Sequence, residues 1–214
     1  MAHAITSMAL FCDFENIALG VRDAKYAKFD IDRVLERLLL KGSIVVKKAY
    51  CDWERYKDFK APMHEASFEL IEIPHVRISG KNSADIRMVV DALDLCYTKA
   101  HVDTFVIISG DSDFSPLVSK LRENNKTVIG VGVKSSTSDL LIANCDEFIY
   151  YDDLVRQNEK KQQRARRKPA PKPVSGAAAA KEKEQPKAEK TEEDRKQEAF
   201  DLVLDTIEAL ASER

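Results

Sequence analysis

Residues 104–117 read TFVIISGDSDFSPL, and the division of this stretch decides the fold. Phe105–Ser109 is mostly apolar or β-branched and reads as a buried strand. Gly110 breaks it, and Asp111 and Asp113 follow with only Ser112 between them. From Phe114 onward, Leu117, Val118 and Leu121 fall at helical spacing, with Pro116 tolerable in a first turn. Two carboxylates therefore stand where a strand ends and a helix begins, the edge at which open α/β sheets bind ligands.

Working outward, the same strand-then-helix grammar recurs. Met8–Cys12 is a first strand ending at Asp13, with Glu15 and Asn16 just beyond. Asp30 caps a helix whose apolar stripe is Ile31, Val34, Leu35, Leu38 and Leu39, and Gly42 ends it. Ile44–Cys51 is a second strand, with Asp52 past its end. Trp53–Phe68 reads as helical, with Pro62 interrupting or restarting it, and Glu69–Val76 as a third strand. After the loop Ser79–Ser83, a helix carries the apolar stripe Ile86, Val89, Val90, Leu93 and Tyr97, with Asp85 in its first turn and Asp91 and Asp94 away from the edge. Thr127–Val133, Ser138–Ala143 and Glu147–Tyr150 add a strand, a short helix and a last strand. This alternation predicts an α/β domain with a mostly parallel sheet and right-handed crossovers giving the strand order 3-2-1-4-5.

Composition divides the chain into three. Residues 1–153 form the α/β domain, and residues 154–190 a basic, Ala- and Pro-rich linker with too little apolar surface to fold. Residues 191–214 form an amphipathic helix, with Phe200, Val203, Leu204, Ile207 and Leu210 on one face. Seven bases from Lys160 to Lys172, with no acid among them, can meet phosphates without sequence preference. The net charge of -2 thus hides an acidic edge and a basic arm. Four cysteines make no CxxC pair, which argues against a zinc ribbon or thioredoxin motif, and Cys12, Cys51 and Cys96 read as core residues in a reducing compartment. The four histidines show no ligand spacing. With no secretory pattern at the start and no membrane-length apolar run, the expected location is cytoplasmic.

In that strand order, Asp13, Asp111 and Asp113 leave neighbouring strands at one edge, Asp85 opens a helix there, and Asp52 lies one strand further out. Taken singly, each acid has an ordinary explanation as a helix cap, a first-turn acid or a solvated side chain. Taken together they repel, and a hard divalent cation, Mg2+ or Mn2+, is the economical compensation. Such a site suits phosphodiester hydrolysis.

The segments FCDFENI, GKNSADIRMVVDAL, VIISGDSDFSPLVSKLRENNKTVIGVG and SSTSDLLIANCDEFIY resemble the NYN domain family, in its LabA-like branch of the PIN-like nucleases. The resemblance implies a PIN-like Rossmannoid three-layer fold and metal-dependent ribonuclease activity. It assigns catalysis and metal binding to Asp13, Asp85 and Asp111, with Asp113 as a further acid and Asp52 a weaker match. Asn16 stands beside them. Ser109, Ser112 and Lys81 are candidate substrate contacts. Phe200–Ala211 resembles the first helix of an OST-HTH (LOTUS) module. Expected partners are RNA, single-stranded, and a homo-oligomer, with no membrane. Two alternatives stand: a catalytically inactive NYN-fold regulator that binds RNA or protein, and a haloacid-dehalogenase-type phosphatase. Against the latter, the residue two after Asp13 is Glu15, where that family has aspartate.

Overall fold

The computed structural model describes residues 6–73 and 83–158. In chain order the elements are β1 (Ser7–Asp13), α1 (Phe14–Asp23), α2 (Ile31–Leu39), β2 (Ser43–Cys51), α3 (Lys57–Glu65), β3 (Glu69–Glu72), α4 (Ser83–Thr98), β4 (Thr104–Ile108), α5 (Ser115–Glu123), β5 (Thr127–Gly132), α6 (Asp139–Asn144) and β6 (Glu147–Tyr150). A 3-10 turn over Ser112–Phe114 precedes α5, and residues 151–158 are helical. The strands form one sheet in the order β3-β2-β1-β4-β5-β6, and every neighbouring pair is parallel. The expected order holds, with β6 added beyond β5.

The period of two along the central strands builds both faces of this sheet. Met8, Leu10 and Cys12 of β1 join Val106 and Ile108 of β4 in one core. That core is covered by Phe14, Ile17 and Val21 of α1, Val34 and Leu38 of α2, and Met63 of α3. Ala9 and Phe11 join Phe105 and Ile107 on the other face, under Met88, Ala92 and Cys96 of α4 and Leu117, Val118 and Leu121 of α5. Phe11 and Phe105 stack there at 6.0 Å. The result is three layers. Cys12, Cys51 and Cys96 are buried free thiols.

Four local readings change. A helix over Phe14–Asp23 follows β1 without a break, started by Asp13, whose side chain accepts from the Asn16 N–H. Phe14 anchors it within about one ring diameter of Phe29, Trp53, Tyr56 and Phe59, at centroid distances of 5.0–6.0 Å. Pro62 lies inside α3 and neither interrupts nor restarts it. The carbonyl that Pro62 leaves without a helical partner, Asp58 O, accepts from Lys28 Nζ at 3.2 Å. On α4 the buried residues are Met88, Ala92 and Cys96, whereas Ile86, Val90 and Tyr97 of the expected stripe are exposed. Finally, Leu154 and Val155 are buried in the first core, so packing continues past Asp153. The third strand is described over Glu69–Glu72. Ile73 follows it outside the strand, its N–H given to the Cys51 carbonyl at 3.0 Å. Residues 74–76 of the expected span, Lys81, the linker with Lys160 to Lys172 and residues 191–214 lie outside the described residues.

Candidate functional site

Parallel strands deliver their carboxyl ends to one edge, and β1 and β4 lie side by side at its centre. Asp13 ends β1, is 7% exposed and caps α1. One of its oxygens accepts the Asn16 N–H at 3.3 Å, and the other accepts the Ser109 hydroxyl at 3.0 Å. Ser109 Oγ in turn accepts the Asp111 N–H at 3.2 Å, and Asn16 Oδ1 accepts the Gly110 N–H at 2.9 Å. The loop after β4 is thereby tied to the start of α1 by two side chains. Gly110 is required here because a Cβ would run into the Ser136 carbonyl of the loop after β5.

Asp111 caps the 3-10 turn, accepting the Asp113 N–H at 3.0 Å. Asp85 sits in the first turn of α4. Burial pushes the Asp13 carboxyl up to about 7, and the charges of Asp85 and then Asp111 add to the rise against the Asn16 and Ser109 hydrogen bonds. Asp85 is also raised, by burial first and then by Asp111, Asp113 and Glu15. These mutual effects place Asp13, Asp85, Asp111 and Asp113 in one electrostatic cluster.

Sequence reasoning gave Glu15 no part in the cluster, but it faces Asp85 and pairs with Arg55 at 3.2 Å. Arg55 lies on the turn after β2 at this same edge, a position that offered the only hint of it in the sequence. Asp52 stays beside the end of β2, a minor contributor to the rise of the Cys51 thiol, which burial raises first and the charges of Glu15 and Asp13 next. Ser109 is fully buried with its hydroxyl given to Asp13, so it positions that carboxylate and is not free to meet a phosphate. Ser112 and Asp113 line a shallow open depression with Ser115, Pro116, Ser119 and Leu140. Asp91 serves the fold, accepting from Tyr50, Arg87 and Lys48. His64 and His101 are exposed.

The donors at the edge are all carboxylate oxygens, the ligand type of a hard divalent cation, and their mutual repulsion is the charge such an ion would balance. Among the described residues, no three His, Cys, Asp or Glu side chains are already closed around a common point. The chemistry of the donor set fits a cation, and holding one requires side-chain adjustment.

The NYN domain model matches residues 7–152. An uncharacterized protein of Methanocaldococcus jannaschii is 27% identical over 147 residues, covering 67% of this chain and 56% of that protein. The Xenopus tropicalis meiosis regulator and mRNA stability factor 1 is 23% identical over 155 residues, covering 72% of this chain and 9% of that protein. The chain thus spans little more than half of one relative and a small part of the other. The crystal structure of a Vibrio parahaemolyticus protein of unknown function superposes with a TM-score of 0.63 at 27% identity, covering 72% of this chain and 98% of that one. The fold is that of the PIN-like domains. Among the described residues no helix is long and apolar enough to cross a membrane.

Proposed function

The chain belongs to the NYN domain family, and on that premise we propose that it is a divalent-metal-dependent ribonuclease of the LabA-like branch, hydrolysing single-stranded RNA at the carboxyl edge of β1 and β4. The observation that carries this reading is Asp13, a buried carboxylate at the sheet edge whose ionisation the charges of Asp85 and Asp111 oppose, an accumulation of like charge that the separate capping roles of Asp13 and Asp111 do not require. Asp13, Asp85 and Asp111 would hold Mg2+ or Mn2+, with Asp113 as a fourth ligand or as a neighbour that orients water. The cation would supply Lewis-acid charge for the phosphoryl group and an acidified water.

The remaining roles belong to the protein itself. Ser109 fixes the Asp13 carboxylate, and Asn16, whose Oδ1 is committed to Gly110, has its Nδ2 to donate to a phosphate oxygen. Ser112, half-buried at the start of the 3-10 turn, is the second such donor. The raised Asp13 carboxyl is partly protonated near neutrality, so cation and proton compete for it.

The test is incubation of varied single-stranded RNAs with the full chain and Mn2+. Cleavage by the wild type that Asp111→Asn abolishes supports the reading. Metal and RNA binding without cleavage would turn it to the regulatory alternative. The family match favours neither a phosphoenzyme nor a phosphatase.

A further inference from the structure

The face of α4 turned away from the sheet is apolar where a surface helix is ordinarily polar. Ile86, Val90 and Tyr97 are 63%, 56% and 66% exposed, and Leu93 between them, at the border of this face, is half-buried with one side packed against the core beneath α4. Residues 86, 90, 93 and 97 are separated by four, three and four positions, the spacing of a coiled-coil seam. This stripe is nearly its own mirror. Reversed end to end, Ile86 falls on Tyr97 and Val90 on Leu93. A helix with such a stripe fits an antiparallel copy of itself, with each layer pairing a smaller side chain with a larger one.

The charges beside the stripe have the same symmetry. Arg87 and Asp94 are both exposed and lie seven residues apart on one flank. In an antiparallel pair this flank meets itself, which brings Arg87 of each copy to Asp94 of the other. In such seams, flanking charges of this kind set partner and orientation. Arg87 already anchors on Asp91 through Nε at 3.0 Å, which orders its guanidinium and leaves the other nitrogens for a second carboxylate. Asn124 of α5 donates to the Tyr97 hydroxyl at 3.4 Å and extends the surface at one end.

From the self-complementary stripe and its opposed charges, we propose that the chain forms a two-fold dimer through antiparallel packing of α4 on α4 of a second copy. The contact is isologous, so it closes at two chains. Asp85 lies one residue from Ile86 on the side of α4 nearer the sheet, so both acidic edges remain open at opposite ends of the paired helices. The inference does not depend on the nuclease reading.

Sedimentation equilibrium of the full chain across the micromolar range tests it. The wild type should be dimeric and Val90→Asp monomeric, with a circular dichroism spectrum that shows the fold intact. Arg87→Asp alone should weaken dimerisation roughly tenfold, because two symmetric pairs become repulsive together. Arg87→Asp combined with Asp94→Arg should restore it, a rescue that a merely local defect would not give. A wild type that remains monomeric, or a dimer that Val90→Asp leaves intact, overturns the proposal.

Discussion

Ser109 at the end of β4 donates its hydroxyl to Asp13 at the end of β1 across 3.0 Å, although 96 positions separate them in the chain. The same oxygen receives the Asp111 N–H, so a single side chain sets the spacing of two site aspartates. Ser109→Ala should destabilise the fold by about 1–3 kcal/mol, the cost of leaving buried polar groups unpaired. It should also raise the Asp13 carboxyl further, since that hydrogen bond lowers it. Urea unfolding measures the first effect, and a higher Mn2+ requirement for RNA cleavage the second.

Burial pushes the Asp13 carboxyl up to about 7 in the folded chain, from 3.8 for an ordinary aspartate. Between these values the folded state binds more protons than the unfolded state, so metal-free stability falls as pH rises through that window. The raised Asp85 acts in the same direction. Asp13→Asn keeps the helix cap and removes the charge. Its unfolding free energy from urea titration should match the wild type near pH 4 and exceed it above pH 7, with a gap on the order of a few kcal/mol.

Asp111 has two roles that separate by substitution. As a cap it accepts the Asp113 N–H, which asparagine can also do. As a charge it belongs to the cluster, where asparagine fails. Asp111→Asn should therefore lose hydrolysis with metal-free stability unchanged or raised, while Asp111→Ala should lose hydrolysis and about 1 kcal/mol of stability. Thermal melts of both variants without metal check the distinction.

Leu154 and Val155 are buried, so the basic arm should be removed after Asn158, which leaves them in place. If the arm captures RNA, this truncation weakens binding and flattens its salt dependence by roughly 0.7 for each lost single-strand phosphate contact, with turnover at saturating RNA little changed. Equal affinities of the two forms at low and high salt would make the arm a tether.

The sheet was legible because β1, β4 and β5 are unbroken apolar runs with breakers after them, and parallel crossovers leave few strand orders. The shared edge of Asp13, Asp85 and Asp111 followed from the same reasoning. The face of α4 was not legible. Hydropathy ranks Ile86 and Val90 above Met88, Ala92 and Cys96, yet the sheet beneath α4 carries Phe11, Tyr50 and Phe105, and Met88, Ala92 and Cys96 are the side chains that pack against those rings. α1 was missed because Asn16 and Gly20 dilute its pattern, although Asp13 as a cap marks its start. The Ser109–Asp13 and Arg55–Glu15 contacts join residues 96 and 40 positions apart, and local pattern has no access to such pairs.

Isothermal titration of Mn2+ into the full chain near pH 6.5, in two buffers of different protonation enthalpy, tests the central claim that this edge holds a divalent cation. The predicted result is a binding site whose occupation releases protons, since the raised Asp13 carboxyl must ionise, and which Asp85→Asn combined with Asp111→Asn removes. No binding through the millimolar range, or binding that the double substitution leaves unchanged, would contradict it.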